Sequence, residues 1–561
     1  MTKEKKGLTR RDFLELSAAG GAALTLGGPS AFAATPKRGG TLTVGIGLLM
    51  QTPDPQRYGG GWARPHNALL YEGLTTPTSR AKRLRAMKEK RSVGDVQPML
   101  ADSWEIEKGG QRYVFHIKKG VKFHNGKELD SGDVKWSWER IKDPIHRCHA
   151  RKLLTLFLES AEAPDRYTVV ANLSRPYGGF LMANAWCNAP ILPKGCIPQG
   201  AIWGETPSFK PPTPGPPGTG PFVLTKHQQK YEAHYTAFKD YRIPGLPYLD
   251  KVISKVISKD SPRTMAFRAG NIDYIRGIEP KWLAKVMKGK ELYKPIHLEK
   301  EGLVIYSSVG VMAPHTIYLN SHPTLGNSPF KDVKVRQAFD FCLDREKLAR
   351  ALYGDLAYPI GQPFHPDAAP WGFKDLTYRK RDIEKAKKLL KEAGYPNGLD
   401  VVFRFTPTWG FQDLVAQIVQ QMTKPAGFRM KLVPEIGVQY WLHLRKRDYH
   451  MQFYHMGKED PMDFVYPWLH TDPAKPWDGF APCGIKEPDL DKILDDMAAE
   501  SDFVKRKAIF KKIIQRFQDQ AYLIPLLSPV GASGWTDKLK NFNPEEYFHP
   551  FEAFREAWLE G

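Results

Sequence analysis

His443, His450 and His455 lie close together in the C-terminal half, and clustered imidazoles are the first place to look for metal chemistry. Their separations of seven and five residues do not place two ligands on one helix face, and no carboxylate pair completes a set, so they read as solvated or structural histidines. Nucleophilic and cofactor chemistry are no better supported. There is no G-x-S-x-G elbow, no H-E-x-x-H helix, no P-loop, and no G-x-G-x-x-G after a strand, which leaves a secreted hydrolase as a minor rival. No two of the cysteines Cys148, Cys187, Cys196, Cys342 and Cys483 form a C-x-x-C pair, so a thiolate zinc site is not expected. Cys187 and Cys196 bracket a Pro-containing turn and can pair in an oxidising compartment, while Cys342 falls inside an amphipathic helical pattern as a buried thiol. The expectation is a protein without metal or cofactor that works by binding.

Several elements are legible. Thr41–Ile46 alternates as a strand, as do Tyr113–Ile117 and Tyr167–Leu173. Ser131 or Asp130 caps a helix whose Val134, Trp138 and Ile141 share a face. Residues 206–221 are rich in Pro and Gly and form a loop. Asp332 precedes a helix through Val335, Ala338, Phe339, Cys342 and Leu343; Asp382 starts another, closed by Gly394 and Pro396. A strand at Val401–Phe405, a helix holding Val415, Ile418, Val419 and Met422, and a strand at Met430–Val433 follow. This alternation indicates an α/β fold with a partly parallel sheet. Helices from Asp489 to Ala521 precede the apolar run Leu523–Leu527.

At 561 residues the chain is long enough for two lobes. Its 82 Lys+Arg against 61 Asp+Glu give a formal net charge of +21. The basic residues are spread along the chain rather than gathered on a reader element, so nucleic acid is not an expected partner. The segment from Arg80 to Arg91 carries seven basic residues and one acid, and reads as a solvated surface loop or short helix. At the N-terminus, Thr9-Arg10-Arg11-Asp12-Phe13-Leu14 resembles a twin-arginine export motif, followed by a short apolar stretch and an Ala31-Phe32-Ala33 cleavage site. The first cysteine is Cys148, so a lipid anchor at the mature N-terminus is not expected.

Short stretches in a fixed order resemble the peptide/nickel-type, family 5 class of extracellular solute-binding proteins of ABC transporters. They are Tyr71-Glu72-Gly73-Leu74-Thr75, Pro98 to Glu105, Gly120 to Gly126 running on to Ser131-Gly132-Asp133-Val134, Gly218-Thr219-Gly220-Pro221-Phe222, Lys334 to Phe339, and Asp344 to Leu348. The resemblance implies a hinged, two-lobed α/β periplasmic binding protein, type II-like, with an extra subdomain inserted in the first lobe. It places a signal peptide at 1–33, lobe I at 34–58, 170–314 and 528–561, the inserted subdomain at 59–169, and lobe II at 315–527. The hinge crossings correspond to Thr316–Asn320 and Pro525–Ser528. The implied function is to capture a solute as a periplasmic monomer, exported by the twin-arginine translocase, and to deliver it to an ABC permease. A chemosensory binding protein that signals through a receptor has the same sequence signature.

The same resemblance points three regions at the cleft: Tyr58 through Arg64, Thr406 to Gly410, and His450 to Asp463. Peptide binders of the class carry a Gly-Trp pair and, three residues after the Trp, an Asp that pairs with the peptide ammonium. Anchored on Asp460-Pro461, those positions fall here on Tyr454 and Gly457. The carboxylate-binding Arg of dipeptide binders is also absent from the Thr406–Gly410 loop, where Trp409 stands. Losing both partners argues against a free dipeptide, because an unpaired buried terminal charge costs several kcal/mol. The expected ligand-facing set is Tyr58, Trp62, Arg64, Trp409, Tyr440, Tyr454 and Gly457, with Trp441 beside it as core. Its aromatic faces suit sugar rings, apolar side chains or a cationic head group. A blocked or modified peptide or a sugar-containing solute ranks above a simple dipeptide, and an opine-like conjugate stays open.

Overall fold

The structure is a computed structural model that describes residues 35–561 apart from 51, 58–63, 80, 83–84, 86–95, 149–153, 155–156, 204–205, 212, 310–313, 323–326, 368–370, 408–410, 437, 447, 456–464, 472–484, 548 and 561. The expected signal peptide at 1–33 lies outside the described residues.

The first strand, β1 (Thr41–Ile46), buries Leu42, Val44 and Ile46 by strict alternation. A short helix, α1 (Arg64–Leu70), comes next among the described elements. The chain then builds a separate antiparallel sheet from β2 (Ala101–Glu107), β3 (Arg112–Ile117), β4 (Leu158–Asp165) and β5 (Thr168–Leu173), in the order β2-β3-β5-β4. One face is covered by α2 (Ser131–Lys142), whose N-terminus is fixed by a capping box between Asp130 and Asp133. Trp138 on that helix is fully buried and donates its indole N–H to Asn184 Oδ1 at 2.8 Å. Because β5 pairs with both β3 and β4, strand pairing carries this sheet past residue 169, where the sequence set the edge of the subdomain.

The chain returns through β6 (Phe222–Gln228), β7 (Glu232–Ala237), β8 (Lys251–Val256), β9 (Tyr274–Arg276) and β10 (Leu303–Val309). Here β1 is parallel to β8 on one side and to β9 on the other. Next comes β11 (His315–Leu319), then α3 (Val333–Phe341), α4 (Arg345–Tyr353) and α5 (Ile383–Glu392). The three helices start on Asp332, Asp344 and Asp382, whose carboxylates accept from the backbone N–H of Lys334, Lys347 and Lys385. A βαβ series follows: β12 (Leu399–Phe405), α6 (Gln412–Thr423), β13 (Phe428–Pro434), α7 (Val438–Lys446) and β14 (Met451–His455), with β12 parallel to β13 and β14. Two helices, α8 (Pro488–Ala499) and α9 (Phe503–Gln520), lead to β15 (Leu523–Thr536).

That last strand organises the molecule. Its first part, Leu523–Leu527, pairs with β11; its second, Val530–Thr536, pairs with β10, and Ser533–Trp535 also pairs with β9. Among the described residues, thirteen strands are thereby joined in one sheet whose ten-strand path runs β13-β12-β14-β11-β15-β9-β1-β8-β7-β6, with β10 and the short strand Ala357–Pro359 also pairing with β15 and Ile296–Leu298 pairing with β10. The apolar core falls into clusters that do not follow the two halves of the sheet, since Ile275 and Ile305 share one with Ile317 and Phe403. One packs around Phe339, Phe403, Phe428 and Phe453, a second around Val44, Tyr235, Tyr274 and Phe551. A third runs from the four-stranded sheet to α8 and α9. Cys148, Cys196 and Cys342 carry free thiols, so Cys196 is not bridged to Cys187. Burial pushes the Cys342 thiol up to about 12.

Candidate functional site

Parallel strands present their carboxyl ends on one edge, and in open α/β sheets that edge binds ligands. Here β1 and β9 end on one side of the sheet's midline, and β12, β13 and β14 on the other. The regions Thr406–Gly410 and His450–Asp463 expected from the sequence begin at the end of β12 and in the segment leading into β14, with 408–410 and 456–463 outside the described residues.

On the β12–β14 side the local chemistry is polar and fixed. The Thr406 N–H donates to Gln412 Oε1 at 2.8 Å, tying the loop after β12 to the first residue of α6. Glu435 follows β13 and is 8% exposed. Its N–H donates to Phe405 O at 2.8 Å, and its carboxylate pairs with Arg404 and, at 2.7 Å, with His443 Nδ1. Gln452, fully buried on β14, donates to the Tyr440 carbonyl at 3.0 Å. Tyr440 itself is 1% exposed. The backbone of Tyr454 pairs with Thr316 across β14 and β11. His450 is engaged structurally, its Nδ1 accepting from the Val402 N–H at 3.3 Å.

On the β1–β9 side, α1 brings Arg64 in half-buried, its Nη2 3.5 Å from Asn188 Oδ1. Beside it, His66 Nδ1 is 2.5 Å from the Tyr235 hydroxyl. Burial, with His227 and Arg276 adding to it, holds His66 at a pKa of about 3, so the ring is neutral. His549 stacks on Trp186 at 5.4 Å and 19°. Burial and then Arg276, Arg64 and His66 hold it well below the usual imidazole range.

Of the expected ligand-facing set, the structure thus places Arg64 and Tyr440, and the backbone of Tyr454, in strands and helices next to this edge. Tyr58, Trp62, Trp409 and Gly457 lie outside the described residues, and of the Tyr454 and Trp441 side chains nothing is described. Sequence reasoning passed over Glu435, Arg276, Trp186 and His549. The one available signal was positional: Glu435 and Arg276 each stand at the end of a strand. Fixed donors, acceptors and neutral imidazoles at strand ends are groups able to pair with a polar solute.

The comparisons agree with this geometry. The family model for bacterial extracellular solute-binding proteins, family 5, matches residues 95–476. Heme-binding protein A of Haemophilus influenzae is 26% identical over 519 residues, covering 88% of this chain and 90% of its own. Among solved structures, the binding protein AgaA of A. tumefaciens R10, in complex with agropinic acid, superposes with a TM-score of 0.75 at 23% identity over 93% of this chain and 99% of that one. The Helicobacter pylori binding protein DppA, in complex with the peptide STSA, gives 0.74 at 23% identity over 94% and 99%. The match covers more than half of the chain, which therefore belongs to the family 5 bacterial extracellular solute-binding proteins, the solute-capturing components of ABC importers.

Proposed function

We propose that the protein captures a peptide-like or oligosaccharide-like solute between two closing lobes and hands it, chemically unchanged, to an ABC permease. On this reading the chain is exported by the twin-arginine translocase, loses residues 1–33, and works as an unanchored monomer in the periplasm. In support, no helix among the described residues is long and apolar enough to cross a membrane.

The observation that carries the reading is the shared strand β15. A single strand that pairs with β11 in its first half and with β9 and β10 in its second gives the two halves of the sheet a common axis. The chain passes from one half to the other between β10 and β11 and again within β15 at 527–530. Two adjacent crossings let the halves rotate against each other about an axis lined by one apolar cluster, in which Ile275 and Ile305 join Ile317 and Phe453. We place lobe I at 34–58, the part of 170–314 after β5, and 528–561, and lobe II at 315–527. Tyr58, Trp62, Trp409, Tyr454 and Gly457 would then face each other across the opening.

The names of the relatives do not converge on one ligand: heme, agropinic acid and a peptide appear among them. The test is thermal unfolding of the mature protein against short free peptides and, separately, oligosaccharides. Ligand at about 100 times its Kd stabilises by roughly 2.7 kcal/mol, enough to move the transition visibly. Solute recovered unaltered from the complex is expected. Turnover of the solute, or no stabilisation by either pool together with no co-purified solute in native mass spectra, sinks the reading.

A further inference from the structure

Asp340, near the end of α3, is 5% exposed and holds two guanidinium groups on one carboxylate. Arg345 Nη2 lies 2.5 Å from its Oδ1, and Arg379 Nη1 lies 3.0 Å from its Oδ2. Among the described residues no other carboxylate pairs with either arginine. The neighbouring acid is already taken: Glu346 accepts from the Tyr378 hydroxyl at 2.6 Å and pairs with Lys380. One positive charge is therefore left over, although Arg345 is only 2% exposed. A guanidinium taken out of water is costly unless an opposite charge meets it.

The surplus charge faces a cavity. A space of about 240 Å³ is lined by Asp340, Arg345, Tyr378, Arg379, Gln518 and Pro525, with Leu523 beside them. Its walls are fixed by hydrogen bonds. Arg345, the first residue of α4, donates from Nε to Pro525 O at 2.8 Å, and Gln518 Nε2 donates to Gly361 O at 2.9 Å and Thr377 O at 2.6 Å. Donors are left to spare. Each guanidinium carries five N–H groups. Arg345 places three of them, on Pro525 O, Arg379 O and Asp340, and Arg379 places two, on Asp340 and Asp519 O, so half are uncommitted among the described residues. Leu523 begins β15 opposite Tyr318, which in turn stands opposite Gln452 near the start of β14. The cavity thus lies toward the amino end of β14, away from the edge that the solute-binding reading uses.

We propose that Arg345 and Arg379 form a second binding site, outside the cleft, for a small singly charged carboxylate. One surplus charge asks for one negative charge. The planar forks of the two guanidinium groups match the two oxygens of a carboxylate, and such charge-assisted bonds are about twice as strong as neutral ones. An occupant ties α4, the segment at Arg379 and the first part of β15 together, so it stabilises the fold independently of the transported solute. Asp340 sets the selectivity: it cancels one of the two cationic charges and leaves room for a monoanion rather than a dianion.

The test follows thermal unfolding of the wild type, Arg379→Gln, Asp340→Asn and Lys391→Gln in sodium acetate and in sodium phosphate at neutral pH, each against sodium chloride at equal ionic strength. Acetate is expected to raise the wild-type Tm beyond chloride in a saturable way. The apparent affinity should fall at least tenfold in Arg379→Gln, which removes the surplus charge, and rise in Asp340→Asn, which doubles it. Lys391→Gln, which takes a charge from the exposed face of α5, is expected to respond as the wild type does. The Arg379 side chain is 21% exposed, so Arg379→Gln keeps the test decisive where Asp340→Asn folds poorly. An acetate effect equal to that of chloride, one surviving in Arg379→Gln, or one lost equally in Lys391→Gln overturns the site. A larger phosphate effect, lost in Arg379→Gln, overturns the carboxylate and assigns the cavity to a phosphate. A weaker acetate response in folded Asp340→Asn overturns the account by surplus charge.

Discussion

His66 is 1% exposed, with Nδ1 against the Tyr235 hydroxyl, and burial leads the causes that hold it near a pKa of 3. The folded state therefore excludes a proton that the unfolded chain takes up below about 6.5. Its contribution to stability is complete above that pH and is lost as pH falls from 6.5 toward 3. Glu552 runs the other way. Burial raises its carboxyl to about 7 against the pull of Arg555, so the fold favours the protonated form, and that contribution is lost as pH rises from 4.5 through 7. A tenfold difference in proton affinity between folded and unfolded chain is worth about 1.4 kcal/mol, so the two contributions nearly cancel between pH 6.5 and 4.5, and His66, displaced further than Glu552, sets the slope below about pH 4.5. We expect His66→Asn to flatten the fall in unfolding free energy below about pH 4.5, and Glu552→Gln to steepen it between pH 6.5 and 4.5 by removing the opposing contribution. Urea midpoints at stepped pH read both; an unchanged slope in His66→Asn would show that the imidazole takes up its proton without unfolding.

At the scale of elements, β15 is the most exposed to a single substitution. An added Cβ at Gly534 would lie 2.8 Å from Ile305 Cδ1 and 2.9 Å from the Phe267 ring. Gly534→Val therefore overpacks the junction of β15 with β10 and is expected to lower stability by about 1–3 kcal/mol, read from denaturant midpoints. A neutral result would mean that Ile305 rotates away at no cost. The same strand marks where the sequence stopped being legible. Its first half, Leu523–Leu527, announces itself by hydrophobicity, but Gly531, Ala532, Ser533 and Gly534 carry no strand signal, because the tight packing around them selects small residues rather than β-formers. The helices begun by Asp130, Asp332 and Asp382 were legible because a cap is a local device, complete within four residues. The cluster of Arg64, Trp186 and His549 was not, since nothing in any one stretch indicates that three distant segments meet; only Arg64 stood in a loop the sequence could single out.

At the scale of the whole molecule, one further contact bears on how the lobes close. Beyond the four-stranded sheet, Arg175 Nη1 lies 2.9 Å from Asp495 on α8, and the Gly178 N–H donates to Ala498 O at 2.8 Å. Tyr466 donates to the same Asp495 at 2.7 Å, and Phe157 meets the Tyr466 ring edge-on at 5.9 Å. The segment just after the four-stranded sheet, with Phe157 beside it, thus holds α8 and Tyr466. The approach needs a glycine: a Cβ at position 178 would lie 1.9 Å from the Glu500 carbonyl, which is backbone and cannot swing aside. If these contacts form only on closure, Gly178→Ala penalises the closed state alone. Solute affinity then falls at least tenfold while the unfolding midpoint of the unliganded protein barely moves, since a ligand is bound only as well as the state it selects. Small-angle scattering of the solute-saturated variant would retain the larger radius of the unliganded wild type. If instead this segment and α8 stay joined in both states, the variant loses stability with and without solute and keeps its affinity, and the moving boundary must be sought elsewhere than at α8.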